Sequence, residues 1–122
     1  MKYLNNLNIL IIILFLFQPL SVLSKEINGK ATYNYTSIGD YELNKEIIRS
    51  KAMSLACKNA FKKYVNEMDR DTLKNYNRVK SKIENNLSEY LTCDLVVDEQ
   101  NIKDTQSLSI VVKTDIATTK IE

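Results

Sequence analysis

Two cysteines and no histidine limit the chemistry open to this chain of 122 residues. Without histidine there is no imidazole base, no Ser-His or Cys-His nucleophile pair and no His-ligated zinc. Two thiolates are too few for a four-cysteine metal site. No glycine-rich run of the kind that cradles phosphate occurs. The sequence therefore points to a non-enzyme with no catalytic residue, no cofactor and no metal. Cys57 and Cys93 are the most informative pair. Joined, they would stabilise the fold by roughly 3–4 kcal/mol in the chain-entropy account. Unjoined, each would pack as a small apolar side chain. An even cysteine number in an exported chain favours the bridge.

Three further groups of side chains invite a functional reading, each beside a plainer one. Lys51, Lys58 and Lys62 form a basic row that can touch an anionic envelope surface, or simply keep a helix face wet. Asp94 and Asp98 lie two pairs apart on one strand face, where they can hold calcium or wet the outer surface. Tyr33, Tyr35, Tyr64, Tyr76 and Tyr90 can line a ligand groove or the edge of a core.

The element that must place most of these residues runs from Asp40 to about Asn66 without Gly or Pro. Ala52, Ala56 and Ala60 recur every four residues and form one helix ridge. Met53, Cys57 and Phe61 form a second ridge beside it, and Ile48, Leu55, Tyr64 and Val65 widen the apolar region. A helix apolar around most of its girth is largely buried. Its alanines let a neighbouring backbone come close, so a sheet is expected against this ridge. Asp40 is the expected N-cap.

Ahead of this helix, Ile27, Gly29, Ala31, Tyr33 and Tyr35 alternate with polar residues, the period of a strand with one face inward. Gly29 in that strand suggests a bulge or a close backbone approach. After the helix, Asp71 can cap a second one, Thr72 to about Glu89, with Leu73, Tyr76, Val79, Ile83, Leu87 and Tyr90 on its packed side. Leu91, Cys93, Leu95 and Val97 then alternate with polar or outward residues, as do Leu108, Ile110, Val112 and Ile116. Asn101–Gln106 links these two strands as an antiparallel hairpin. Keeping both apolar sets on one face puts Val97 opposite Ile110, Leu95 opposite Val112, and Asp94 opposite Lys113 in a pair worth about 0.2–1 kcal/mol. The expected fold is α+β, two-layer and β-α-α-β-β, with an antiparallel three-stranded sheet and a long central helix packed on one face.

The first 24 residues read as an address. Lys2 and several Asn precede nine apolar residues, Ile9–Phe17. That run is short of the about 20 residues that span a bilayer. Val22 and Ser24 suit a small-residue cleavage site, which sets the cut after Ser24. An uncleaved anchor is the alternative, since positive charge ahead of the apolar run is sparse. Residues 25–122 would then form a single domain, periplasmic or secreted. The whole chain has 17 Lys plus Arg against 15 Asp plus Glu, too even a balance to draw nucleic acid from a distance.

The stretches INGKATYNY, RSKAMSLACKNAFKKYV and LVVDEQ…LSIVVKTDI carry a resemblance that covers most of the chain after residue 24. A short strand, a helix of the form A-x-x-x-A-x-x-x-A, a second helix and a hairpin ending V-V-K-T-D-I together resemble the N-terminal domain of the bacterial flagellar assembly protein T and related small envelope domains. The resemblance implies a periplasmic module that helps assemble a structure of the bacterial envelope. The leading expectation is thus an exported, non-enzymatic interaction or assembly module with an envelope protein partner. It would meet the membrane only through its leader. The alternative is a small-ligand or lipid-binding domain with a pocket between helix and sheet, lined by the tyrosines and Met53.

Overall fold

The computed structural model describes residues Ser24–Ile121; the expected leader lies outside them, apart from Ser24 itself. The elements in order are β1 (Ser24–Asn34), α1 (Lys45–Asn66), α2 (Arg70–Asn85), β2 (Leu91–Ile102), β3 (Ser107–Ala117) and a short α3 (Thr118–Ile121). Single 3-10 turns at Leu87–Glu89 and Lys103–Thr105 lead into β2 and β3. The fold is α+β, and its sheet is antiparallel with three strands in the order β1-β3-β2. The last strand in the chain is therefore the middle one.

The alternation in β1 and β3 works as a period of two should. Ile27, Gly29, Ala31 and Tyr33 pair with Thr114, Val112, Ile110 and Leu108. Those β3 partners have no exposed surface. Over them lies α1, whose Ala52, Ala56 and Ala60 have no exposed surface either. The closest approach is at Gly29. A Cβ there would overlap the Ala56 carbonyl oxygen and sit 2.7 Å from the Ala60 Cβ. Only a glycine lets the helix backbone come down this far. Asn59 fastens the same crossing, donating from Nδ2 to the Lys30 carbonyl at 2.8 Å.

The core continues from this crossing in both directions. Toward one end, Ile27, Phe61, Tyr64, Tyr76, Ile83 and Ile116 pack together. Toward the other, Ala31, Tyr35, Ile48, Leu108 and Ile110 do. α2 joins the first group through Tyr76, whose ring meets Phe61 edge-on at 6.0 Å.

Four boundaries differ from the sequence reading. Asp40 does not cap α1. Its Oδ1 accepts from the Glu42 and Leu43 N–H groups, which closes a separate turn, and α1 starts after Asn44. Asp69, not Asp71, caps α2, accepting from the Thr72 N–H at 2.7 Å. α2 stops at Asn85, before the Leu87–Glu89 turn. The hairpin link is shorter than Asn101–Gln106, because β2 runs to Ile102 and Gln106 turns the chain in the left-handed region at φ 49°.

The largest difference is the register of β2. The strand slips by one residue between Thr92 and Leu95, and again between Val96 and Asp98. Leu95 therefore sits opposite Lys113 and Val96 opposite Val112, and the expected Asp94–Lys113 pair does not form. Lys113 bonds Glu26 of β1 instead, at 3.1 Å. Leu95 and Val97, expected inward, are 56% and 55% exposed. Each bulge reverses the facing of the residues after it. Past the second bulge, Glu99 and Asn101 stand opposite the inward Ile110 and Leu108. Their polar groups are met there: Arg49 of α1 holds Glu99 at 2.7 Å, and the Tyr35 hydroxyl donates to Asn101 at 2.6 Å.

Candidate functional site

Cys57 of α1 and Cys93 of β2 are joined, with Cα atoms 6.0 Å apart and a sequence separation of 36. Cys93 sits in the first bulge, in the stretch that faces Thr114 of β3. The fully buried Thr114 hydroxyl lies 3.2 Å from Cys93 Sγ. Since the sulfur is bonded and carries no hydrogen, the hydroxyl is the donor. The bridge thus ties the helix to the strand that it otherwise touches least. Its role is a staple, and no free thiol remains for nucleophilic chemistry.

The second arrangement is the outward side of α1. This helix of 22 residues carries six Lys and Arg against one Glu, in a chain whose whole surplus is two positive charges. Its inward side is set by Ala52, Ala56 and Ala60. At 100° per residue, Ile47, Lys51, Lys58 and Lys62 fall on the side away from that ridge, and Leu55 falls on its flank beside Lys62. All five are exposed. Leu43, one turn before Ile47, is 85% exposed, Ile47 is 53% and Leu55 is 38%. Leu55 was expected in the buried region. Its azimuth, on the same side as Lys51 and Lys62, is why it lies outside. The result is a stripe that runs Leu43, Ile47, Lys51, Leu55, Lys58 and Lys62, aliphatic at its N-terminal end and basic at its C-terminal end.

The C-terminal part of the stripe borders a cleft of about 230 Å³ between α1 and α2, lined by Lys58, Phe61, Lys62, Glu84 and Leu87. Tyr76, buried against Phe61, donates to Glu84 at 3.3 Å. Burial, with the Glu84 charge second, pushes the Tyr76 hydroxyl up to about 12. A larger hollow of about 730 Å³ lies along Glu26, Asn28, Leu95, Val97 and Lys113. Its charges are largely spent on one another, in the Lys25–Glu67 pair at 2.8 Å and the Lys113–Glu26 pair at 3.1 Å.

The remaining candidates fall elsewhere. Asp94 lies in the first bulge, while Asp98 pairs with Val111 past the second, so no single regular face carries both. Among the described residues no group of three or more His, Cys, Asp or Glu comes together to hold a metal ion. Tyr35, Tyr64 and Tyr76 are buried in the core, and Tyr33 and Tyr90 border it. The space where a helix–sheet ligand pocket would lie is filled by Ala52, Ala56, Ile110 and Val112, none with exposed surface. The sequence reading missed Leu43 and Ile47. A charge count by element, set beside a helical wheel, would have found both.

No helix among the described residues is long and apolar enough to cross a membrane. No family model, curated protein or solved structure matches the chain.

Proposed function

We propose that this chain is an exported, non-enzymatic module that works by contact within the bacterial envelope. The observation that carries the reading is the Cys57–Cys93 disulfide, because such bonds persist in oxidising compartments and are rare in the cytosol. The apolar run Ile9–Phe17 and the small residues before Lys25 supply a route to that compartment. The working form is a two-layer domain with α1 as its central rod, seated on β1 through Gly29. A role in assembling an envelope structure, of the kind implied by the resemblance to flagellar assembly protein T, is the form this contact takes in the proposal. The test is fractionation of producing cells, with mass analysis of the protein under non-reducing conditions and mild crosslinking. The expected result is a chain starting at Lys25 outside the cytoplasm, with Cys57 and Cys93 linked and a crosslinked envelope component. An intact, reduced precursor in the cytosol would overturn the reading.

A further inference from the structure

The outward stripe of α1 does not serve the fold. Leu43, Ile47 and Leu55 leave apolar surface in water, with Leu43 85% exposed. Lys51, Lys58 and Lys62 take part in no ion pair among the described residues. No acidic residue lies between them on that side of the helix; Glu46, the only acid of α1, is off the stripe. α2 adds to the same sign, with five Lys and Arg against two acidic residues. β2, in the sheet, has three acidic residues and no basic one. The molecule is therefore electrically polar, with its helices positive and its hairpin negative.

We infer that this stripe is a docking surface for an anionic lipid bilayer. A protein groove would bury the leucines or pair the lysines with fixed carboxylates in a defined register. Here both kinds of side chain stand along one exposed line, and the hollow beside Leu43 and Ile47 is lined by residues 42–47 alone, Glu42 and Glu46 among them, with no second element as its wall. A lipid headgroup layer accepts that pattern. Ammonium groups meet the phosphates, and aliphatic side chains reach the acyl boundary a few ångströms deeper. The helix would lie flat, with its alanine ridge still on the sheet and no part of the fold rearranged. Lys58 and Lys62 also border the cleft with Phe61, Glu84 and Leu87, and the Glu84 carboxylate there accepts from the Tyr76 hydroxyl.

The inference deepens the contact-module reading and rests on it, but it does not depend on export. Fractionation decides export, and vesicle binding decides this surface. The test is co-sedimentation of the processed, oxidised protein with vesicles of phosphatidylglycerol and, separately, of phosphatidylcholine. Binding is expected to the first and not the second, and it should fall as salt is raised. Each lysine near a charged surface contributes about a fivefold change in partitioning. The triple variant Lys51→Gln, Lys58→Gln, Lys62→Gln should bind roughly 100-fold more weakly. Leu43→Ser with Ile47→Ser should lose at least about tenfold. Lys30→Gln with Lys113→Gln, on the sheet, should bind like the parent. All these positions are exposed or half-exposed, and an unchanged melting curve shows that each variant folds. Equal binding to both lipids, no binding at all, or equal losses from the sheet variant would overturn the inference. So would a parent protein that ignores vesicles yet crosslinks to an acidic protein through Lys51, Lys58 and Lys62; the stripe would then be a protein-docking face.

Discussion

Replacing Gly29 by alanine tests the helix–sheet contact through the sign of the result. In an ordinary strand, glycine is a poor residue, and alanine in its place stabilises by roughly 0.5–1 kcal/mol. At Gly29 the added methyl meets the Ala56 carbonyl oxygen and comes within 2.7 Å of the Ala60 Cβ. Neither obstacle can swing aside, since one is helix backbone and the other has no rotamer. The helix must lift, and it carries Ala52, Ala56 and Ala60, all fully buried, with it. Overpacking of this kind costs about 1–3 kcal/mol, and a backbone obstacle belongs at the upper end. After subtracting the strand gain, the net loss is about 2 kcal/mol. For a domain of this size that lowers the melting point by about 10 °C. The assay is urea unfolding of the oxidised protein, where the midpoint should fall with the slope unchanged. A midpoint equal to or above that of the parent would refute the close approach. Adding Ala60→Gly clears the methyl but not the carbonyl, so stability should not return; full recovery would mean that the helix backbone is not the obstacle.

The other predictions follow from packing and titration. Ala56→Leu should cost about 1–3 kcal/mol, while Lys58→Leu on the outward side should be nearly neutral by the same unfolding assay. Replacing Cys57 and Cys93 together by serine should remove about 4 kcal/mol, the chain-entropy value for a separation of 36 residues; unchanged stability would show that the bridge restrains nothing. The Tyr76 hydroxyl is held up to about 12 by burial, against an ordinary value of 10.0. Its neutral form is thus favoured by the folded state, which keeps that contribution below pH 10 and loses it as pH rises toward 12. Burial also raises Tyr41, so ultraviolet titration should show late-ionising tyrosines in the parent and one fewer in Tyr76→Phe; no loss of a late step in that variant would count against the buried placement.

Much of the fold can be read from side-chain period alone. The alternation in β1 and β3 is regular because α1 packs across both strands and no bulge interrupts their pairing. β2 defeats the same reasoning. Leu91, Cys93, Leu95 and Val97 look like one inward row, but the bulge holding Cys93 turns Leu95 outward. That extra residue is placed by a disulfide to α1 and by Thr114 across the sheet, both distant in sequence. The helix starts were misread for a local reason. Asp40 and Asn44, like Asp69 and Asp71, are acceptable caps within a few residues of each other, and only the path of the turn selects between them. The lysine row of the proposed contact surface is visible as spacing. The bare leucines beside it are not, because an aliphatic residue in a helix reads as core until a neighbour fails to cover it.

The order β1-β3-β2 governs when the chain can become a sheet. Ile27 must find Thr114, and Asn34 must find Ser107, before β1 has any strand to bond with. Everything up to the hairpin can form only helices, whose contacts are local and fast, whereas first-to-last strand pairing is slow. A polypeptide threaded N-terminus first through a narrow pore would thus stay slack until its closing segment emerged, and would then lock from the tail inward.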